Sequence, residues 1–421
     1  MNIRFSSFGE KLRQRCGILE LMDDLGEAMT TSPEMRMMGG GNPAAIPEVQ
    51  AIWRERAADM LADGTELDRM LVNYDPPAGN PAFLSAVADC LNREMGWSLT
   101  PKNLAVTNGG QTAFFYLFNT LAGPPADGGA PRRIMLPLAP EYIGYANQGM
   151  ADGLFTARPA LIEEHGENRF KYRVDFDGLT AGEDVAAICV SRPTNPSGNV
   201  LTDREIARLA KIARERSVPL IIDNAYGNPF PGAIFTEATP VWDEGIILTL
   251  SLSKLGLPGT RTGIVVAAEP VIEVICALNA VVGLANNNVG QAFARPLLES
   301  GEIIRVSREI IRPYYKRRGQ RAREYVAEAF GDRIPYRLHE HEGAFFLWFW
   351  FPELPITSRQ LYERLKQRKV LVVPGEYFFF GLEHEWAHSD ECIRVTFSQP
   401  DEVVREGIGI IAEEVARAYG Q

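Results

Sequence analysis

Short apolar runs alternate with amphipathic, helix-like segments along the middle of the chain. The runs cover residues 104–107, 133–136, 185–190, 219–222, 246–250 and 263–267. Runs of this length that are apolar throughout are typical of strands covered on both faces. Between them lie helix signals such as the capping box Thr202-Asp-Arg-Glu205, from which a helix should continue to about Arg216. The pattern therefore predicts an α/β fold with a largely parallel sheet wrapped by helices.

The hydrophobic pattern changes near residue 302. A polar, arginine-rich helical stretch comes first, and strands and helices then alternate to the end of the chain. We expect strands at 344–350, 370–373 and 393–397, and helices at 358–367 and 402–418. This part of the chain is predicted to form a second, smaller α+β domain.

Composition argues against several classes of protein. The net charge of the 421 residues is -11, and no basic run provides a footprint for nucleic acid. No apolar stretch is long enough to span a bilayer, and the N-terminus lacks the apolar segment of a signal peptide. The cysteines are scattered without a CxxC pair, so we expect reduced thiols in a cytoplasmic protein. They are Cys16, Cys90, Cys189, Cys276 and Cys392.

Reactive groups follow five of the predicted strands. In an open parallel sheet, ligands bind beyond the carboxyl ends of the strands. The string Asn108-Gly-Gly-Gln111 opens a helix whose backbone N–H groups can hold an anion. Later strand ends carry an aromatic ring, an amide, a carboxylate with a phenol, and an amine, supplied by Tyr142, Asn195, Asp223, Tyr226 and Lys254. Singly, each has an ordinary explanation as a turn or a helix cap, but together they supply the groups that one cofactor needs.

Lys254 indicates which cofactor this is. Burial and cationic neighbours can push a lysine amine toward its neutral, nucleophilic form, which suits a Schiff base with an aldehyde. Ser251, Ser253 and Arg261 would hold a phosphate close by. An ionised Asp223 would keep a pyridine nitrogen protonated. Because pyridoxal 5′-phosphate combines an aldehyde, a phosphate and a pyridine ring, we predict that it is the cofactor.

Nearly the whole chain resembles the fold-type I pyridoxal-phosphate aminotransferases. The resemblance implies that Lys254 carries the cofactor, that Asp223 pairs with the pyridine nitrogen and that Tyr142 stacks on the ring. It also implies that Asn195 and Tyr226 bind the phenolate oxygen. The phosphate cup that it implies consists of Gly109, Gly110, Gln111, Ser251, Ser253 and Arg261.

The same resemblance implies substrate contacts and a shared site. Arg394 matches the arginine that binds the α-carboxylate of the substrate, and Gly41 matches a glycine whose backbone lies against the substrate. Asn195 is expected to face the substrate as well. Tyr74 resembles the tyrosine that reaches the phosphate of the neighbouring subunit, which implies a homodimer with shared active sites.

Three domain ranges follow from the resemblance. Residues 1–48 are expected to pack with the small domain. Residues 49–301 are expected to form the large domain, which binds pyridoxal 5′-phosphate and contains a mainly parallel seven-stranded sheet. Residues 302–421 are expected to form the small α+β domain.

The substrate prediction rests on three long strings. Residues 39–47, 137–145 and 253–259 resemble the branch of the family that moves amino groups between valine or alanine and the matching 2-oxo acids. The neutral, apolar stretch 280–285 lies roughly where some relatives place a cation for dicarboxylates, so it favours an aliphatic side chain. We expect transfer from valine to pyruvate. An alanine aminotransferase, or β-elimination from a sulfur amino acid, uses the same residues and stays open.

Other strings point to different classes of protein. His384-Glu-Trp-Ala-His388 matches a zinc-protease motif, but Gly381 and Ser389 flank it closely, so a helix that would place both histidines on one face is not expected. No metal site is therefore predicted. Residues 251–254 fit the S-x-x-K string of penicillin-recognising enzymes, yet the S-D-N string is missing. A transcription regulator built on this fold would need a basic DNA-binding domain, whereas only about forty residues precede Gly41.

Overall fold

The computed structural model describes residues 3–14, 17–31 and 34–421. Cys16 lies outside these ranges, and the thiols of Cys90, Cys189, Cys276 and Cys392 are free. Reduced thiols in a cytoplasmic protein stay a prediction. None of the helices in the described ranges combines the length and the apolar character that crossing a bilayer requires.

The strands form a large sheet, a smaller sheet and a short parallel pair. In chain order they are β1 (Arg36–Met37), β2 (Leu104–Thr107), β3 (Arg133–Ala139), β4 (Phe155–Pro159), β5 (Leu161–Glu164), β6 (Arg169–Arg173), β7 (Val185–Ser191), β8 (Leu220–Asp223), β9 (Ile246–Ser251), β10 (Gly263–Val266), β11 (Arg337–His339), β12 (Phe346–Trp350), β13 (Val370–Leu371), β14 (Val373–Pro374) and β15 (Cys392–Thr396).

Helices connect these strands. In chain order they are α1 (Ser7–Arg13), α2 (Gly17–Thr31), α3 (Pro47–Asp63), α4 (Thr65–Val72), α5 (Pro81–Met95), α6 (Gly110–Leu121), α7 (Asp203–Glu215), α8 (Glu269–Gly283), α9 (Val289–Ser300), α10 (Glu302–Arg305), α11 (Arg312–Phe330), α12 (Ser358–Gln367) and α13 (Asp401–Ala418). A π-helical segment, Val306–Ile311, joins α10 to α11. Helix α7 begins at the predicted capping box, in which the Thr202 hydroxyl and the Glu205 carboxylate bind each other's backbone N–H groups.

The large sheet has the strand order β2-β10-β9-β8-β7-β3-β4. Neighbouring strands from β9 to β4 are parallel, and β10 runs antiparallel to both of its neighbours. Every residue of β7, β8 and β9 is buried, as their continuous apolar runs predict. The predicted α/β fold with a mainly parallel, seven-stranded sheet is therefore confirmed.

Two details of this sheet differ from the prediction. Strand β3 was expected to end at Pro137, but it continues to Ala139. Its register with β4 shifts between Leu136 and Ala139, so the proline, which has no N–H, lies at an irregularity where no ladder hydrogen bond is needed. Strand β4 was not predicted, because Thr156 and Arg158 interrupt its apolar pattern at the edge of the sheet.

The smaller sheet has the order β14-β15-β12-β11-β6-β5. Strands β5 and β6 form an antiparallel hairpin, and β6 pairs in parallel with β11. This hairpin belongs to the range 49–301, whereas the rest of the sheet belongs to 302–421. A chain boundary at residue 301 therefore does not separate the two sheets.

The described part of residues 1–48 contacts the C-terminal part of the chain. Strand β1 pairs in parallel with β13. On α2, Glu20 accepts hydrogen bonds from Arg359 at 2.6 Å and from the hydroxyl of Tyr377 at 2.8 Å. Asp24 accepts from Lys366 at 2.7 Å and also from the hydroxyl of Tyr362. Helix α2 is thereby tied to α12 and to the segment that follows β14.

Candidate active site

A pocket of about 380 Å³ lies where the carboxyl ends of the large sheet meet the smaller sheet. Most of the residues that the sequence singles out line it together. They are Gly41, Gly110, Gln111, Tyr142, Asn195, Asp223, Tyr226, Ser251, Ser253, Lys254, Arg261 and Arg394. The structure therefore gathers groups from segments that lie up to hundreds of residues apart in the sequence.

Lys254 enters the pocket from a short 3-10 helix that directly follows β9. Its Nζ donates a hydrogen bond of 2.7 Å to the carbonyl oxygen of Gly41. Burial, reinforced by the positive charges of Arg394 and Arg261, lowers the pKa of this amine to about 8. The ring centroid of Tyr226 lies 5.3 Å from Nζ. The neutral form, which a nucleophile or a base requires, is therefore easier to reach near neutral pH than in an ordinary lysine.

Asp223 lies at the end of β8 and is buried. One carboxylate oxygen accepts a hydrogen bond of 2.5 Å from the Tyr145 hydroxyl, and the other accepts one of 3.0 Å from the N–H of Ala225. Both of these donors are neutral. Burial raises the pKa of Asp223, and these hydrogen bonds oppose the rise. A cation bound in the pocket would compensate the charge of this carboxylate.

Tyr142 presents its aromatic ring to the pocket from the loop after β3. A Cβ atom added to Gly144 would lie 2.3 Å from this ring, so only glycine permits the observed packing of the loop. The ring of Tyr145 lies edge-on to that of Tyr142, with 5.2 Å between the centroids. The loop therefore holds one ring in the pocket and another beneath it.

The N-terminus of α6 lies against Arg261, an arrangement that suits an anion. Gly109 precedes the helix with φ +86°, a conformation that favours glycine, and a Cβ at this position would lie 2.0 Å from Nη2 of Arg261. Arg261 thus packs directly against the Gly109 backbone. The side-chain amide of Gln111 donates to the carbonyl of Gly144 at 2.7 Å. Its backbone N–H lies in the first turn of α6, where such groups have no partner within the helix and can bind an anion. Ser251 and Ser253 line the same wall.

Arg394 projects from β15 on the opposite wall of the pocket and is buried. Its Nη1 donates to Oδ1 of Asn195 at 2.6 Å, and its Nη2 donates to the carbonyl of Gly39 at 2.7 Å. Its Nε has no hydrogen-bond partner within the described ranges. Burial lowers the pKa of the guanidinium to about 10. A buried guanidinium bound only to neutral oxygens is a strong site for a carboxylate.

Tyr74 and the apolar stretch 280–285 lie outside the pocket. Tyr74 is 81% exposed and does not line the pocket of its own chain. Val281, Val282 and Leu284 are exposed as well. The predicted role of Tyr74 at the site of a second subunit stays a prediction.

The sequence missed several residues around the pocket. Glu141 and Tyr145 flank Tyr142, the one residue of this string that the sequence identifies. Their spacing does not predict that Glu141 contacts Ser191 or that Tyr145 contacts Asp223. Helix α2 contributes Ile18, Leu21 and Met22 to the pocket wall. The amphipathic pattern of α2 was the only available signal, and it does not identify what the apolar face covers.

The zinc-protease string does not form a two-histidine site. His384 lies in a loop and is exposed, whereas His388 lies in a 3-10 helix and is buried. The Nε2 atom of His388 is 2.6 Å from the hydroxyl of Tyr172, and burial lowers the pKa of the imidazole to about 3. Within the described ranges, no group of three or more His, Cys, Asp or Glu side chains could hold a metal ion.

The pocket has the donor set that pyridoxal 5′-phosphate requires. Its phosphate would lie between the α6 N-terminus and Arg261, and its pyridine nitrogen would face Asp223. Its aldehyde would face the amine of Lys254. The unpartnered Nε of the buried Arg394 remains for the carboxylate of a substrate. The residues present therefore fit this cofactor.

Comparison with known proteins agrees with this geometry. The family model described as "Aminotransferase class I and II" matches residues 48–411. The chain is 46% identical over 421 residues to the valine–pyruvate aminotransferase of Escherichia coli (strain K12), covering 99% of each sequence. A crystal structure of valine-pyruvate aminotransferase from Salmonella typhimurium LT2 is 44% identical, with TM-score 0.88 over 96% of this chain and 100% of that one.

The fold extends to more distant proteins. The aspartate aminotransferase from Thermus thermophilus with maleate is 21% identical and superimposes with TM-score 0.76, covering 98% of this chain and 100% of that one. Because the family model spans most of the chain and the full-length similarity is high, the chain belongs to the class I and II aminotransferases, and its cofactor is pyridoxal 5′-phosphate.

Proposed function

We propose that this enzyme transfers the amino group of valine, or of a similar aliphatic amino acid, to pyruvate, giving 2-oxoisovalerate and alanine. The similarity to two valine–pyruvate aminotransferases supports this reaction. So does the apolar wall that Ile18, Leu21, Met22 and Met37 contribute to the pocket. An aliphatic substrate side chain gains free energy by leaving water for such a wall.

Different side chains of the protein orient the substrate and transfer the proton. When bound, pyridoxal 5′-phosphate supplies an electron sink for the bond that breaks at the substrate Cα. Arg394 holds the substrate carboxylate and so fixes the orientation of Cα. The neutral amine of Lys254 accepts the proton from Cα and later donates it, as a general base and then a general acid.

Other residues hold the cofactor in our proposal. Gly109, Gly110 and Gln111 bind its phosphate through backbone N–H groups, and Ser251, Ser253 and Arg261 complete that site. Asp223 holds the proton on the pyridine nitrogen. Asn195 and Tyr226 donate to the phenolate oxygen, since Oδ1 of Asn195 already accepts from Arg394 and leaves its NH₂ group for the pocket. Tyr142 stacks on the ring.

We also propose a homodimer in which Tyr74 reaches the phosphate of the partner's site. Tyr74 is flanked by the exposed residues Leu71 and Val72. The amide of Asn288 donates to the carbonyl of Asn73 at 2.9 Å, and that of Asn279, on α8, donates to the carbonyl of Pro77 at 2.7 Å. These bonds hold the Tyr74 segment beside α8, whose last turn carries the exposed Val281 and Val282. Burying these apolar side chains in a dimer interface would stabilise the assembly.

The buried Arg394–Asn195 pair in the same pocket as the amine of Lys254 is the observation that carries the proposal. Its test incubates the cofactor-loaded protein with valine and pyruvate and follows alanine and 2-oxoisovalerate together. We expect the two products in equal amounts, and none from Lys254→Ala. Pyruvate and ammonia released from a sulfur amino acid, with no transfer from valine, would instead identify an elimination enzyme.

A further inference from the structure

Glu141 is a buried carboxylic acid that takes no part in the proposed reaction. It is 1% exposed and directly precedes Tyr142. Its Oε1 accepts a hydrogen bond of 2.8 Å from the Ser191 N–H. Its Oε2 accepts from the Ser191 hydroxyl at 2.6 Å and from the Tyr142 N–H at 3.0 Å. Three donors therefore converge on this one side chain.

These contacts join three walls of the pocket. Ser191 ends β7 in the large sheet, and Tyr142 carries the aromatic ring of the loop after β3. The backbone N–H of Glu141 donates to the carbonyl of Phe378 at 2.9 Å. The ring of Phe378 in turn lies 5.4 Å from the guanidinium carbon of Arg394. Glu141 thus connects the large sheet and the aromatic loop with the wall that carries Arg394.

The surroundings of Glu141 disfavour the ionised form of its carboxyl group. Ser191, which Glu141 binds, pairs in register with Asp223, so two buried carboxyl groups lie close together. Burial first, and the charge of Asp223 to a smaller extent, raise the pKa of Glu141 to about 7, although its hydrogen bonds oppose the rise. A buried charge of this kind lowers stability unless its partners compensate for it. Glu141 therefore matters for the positions of the groups that it binds and not for a gain in stability.

We propose that Glu141 is a positioning residue: its carboxylate fixes Tyr142 to Ser191, and its N–H fixes the same loop to Phe378. The aromatic ring and Arg394 consequently keep their places on either side of the reacting groups. The inference rests on the proposed function, because Tyr142 matters here as the ring that stacks on the cofactor.

The hydrogen-bond pattern requires a carboxyl group with two acceptor oxygens. Two backbone N–H groups and one hydroxyl point at the two oxygens of Glu141. A glutamine has one acceptor oxygen and one NH₂ group, so Glu141→Gln leaves the N–H of Ser191 or of Tyr142 facing another donor. Ser191→Ala removes only one hydroxyl and is the milder change.

The test compares the cofactor-loaded wild type with Glu141→Gln, Ser191→Ala and the double variant. Visible circular dichroism per bound cofactor reports the orientation of the ring. We expect Glu141→Gln to change this signal and to lower kcat by about tenfold, the effect of losing one buried hydrogen bond. Ser191→Ala should change both in the same direction but less. The double variant should be no worse than Glu141→Gln, because both changes act through one contact.

Glu205 provides a matched control outside the pocket. Its Oε2 accepts from the N–H and the hydroxyl of Thr202, both at 2.8 Å, so the same two kinds of donor bind it as bind Glu141. Glu205→Gln should lower thermal stability and leave the dichroism per bound cofactor unchanged. If Glu141→Gln behaves like Glu205→Gln, the role of Glu141 is structural only and the inference is wrong.

A further measurement, the visible spectrum of Lys254→Ala with pyridoxal 5′-phosphate, distinguishes a failure of this inference from a failure of the proposed function. If the wild type and Lys254→Ala bind pyridoxal 5′-phosphate with the same visible spectrum, the proposed role of Lys254 fails. If their spectra differ while Glu141→Gln matches the wild type in dichroism and kcat, the positioning role alone fails.

Discussion

The hydroxyl of Tyr145 donates a hydrogen bond of 2.5 Å to Oδ2 of Asp223. Tyr145 is fully buried and packs against Phe114, with 4.7 Å between the ring centroids. Burial raises the pKa of Tyr145 well above its ordinary value, so the phenol keeps its proton and acts as a donor. The bond favours the ionised form of Asp223, which is the form that can hold a proton on a pyridine nitrogen.

Replacing this phenol should slow catalysis without preventing folding. In Tyr145→Phe, the pKa of Asp223 rises because the carboxylate loses a charged hydrogen bond. We expect kcat to fall by on the order of tenfold to a hundredfold. Steady-state kinetics with valine and pyruvate measure the change. Tyr172→Phe is the control, since Tyr172 is a buried phenol of the smaller sheet that binds His388 and does not line the pocket. An equal loss of kcat in both variants would contradict the role of Tyr145.

The pKa of Lys254 should be visible in the protein before cofactor is added. The rate at which an amine reagent modifies Lys254 should reach half its maximum near pH 8, well below the ordinary lysine value of 10.5. Arg394→Gln removes a positive charge that disfavours the ammonium form, so the midpoint should rise. Asp223→Asn removes a negative charge that favours it, so the midpoint should fall. Mass spectrometry of the modified peptide gives the rates, and a midpoint near 10.5 in the wild type would contradict the assignment.

Gly109 tests the anion site. Gly109→Ala introduces a Cβ that would lie 2.0 Å from the Arg261 guanidinium, at a φ of +86° that L-residues rarely adopt. Arg261 must then move away from the α6 N-terminus, and we expect the dissociation constant for pyridoxal 5′-phosphate to rise by about tenfold or more. Gly259→Ala is the control, because a Cβ there meets nothing within 4 Å. Equal affinities in the two variants, measured by equilibrium dialysis, would show that this packing does not govern cofactor binding.

Much of the large sheet is predictable because its central strands are buried on both faces. Burial on both faces makes most of β7 and β9 apolar, and such runs are visible in a single sequence. Residues at the ends of these strands or shortly after them, such as Asp223 and Lys254, are then placed at one edge of the sheet by topology alone. The edge strand β4 and the β5–β6 hairpin lack such runs, and their pairing depends on distant strands.

The less predictable part of the site comes from tertiary contacts. Tyr145 reaches Asp223 because a 3-10 turn after Tyr142 directs it beneath the ring, and no local pattern encodes that direction. Ile18 and Met22 reach the pocket because the anchors of α2 lie more than three hundred residues away in the sequence. The sequence therefore indicates the cofactor chemistry better than it indicates the substrate wall.

Shared active sites can be tested by complementation between two inactive variants. Lys254→Ala lacks the amine but retains Tyr74, whereas Tyr74→Ala retains the amine but cannot reach the partner's phosphate. In a mixed dimer, one site then contains an intact Lys254 and an intact Tyr74 from the other subunit. Random assortment of co-expressed chains should restore about one quarter of wild-type activity.

The exposed residue Val281, in the last turn of α8, supplies the control for this experiment. Val281 is 84% exposed in the single chain, so Val281→Asp is tolerated by the monomer but would bury a charge in the proposed interface. Adding Val281→Asp to both parents should abolish the restored activity and shift the protein to a monomer in sedimentation. Co-expression without Val281→Asp that yields only the summed activity of the two parents would show that Tyr74 does not serve the neighbouring site.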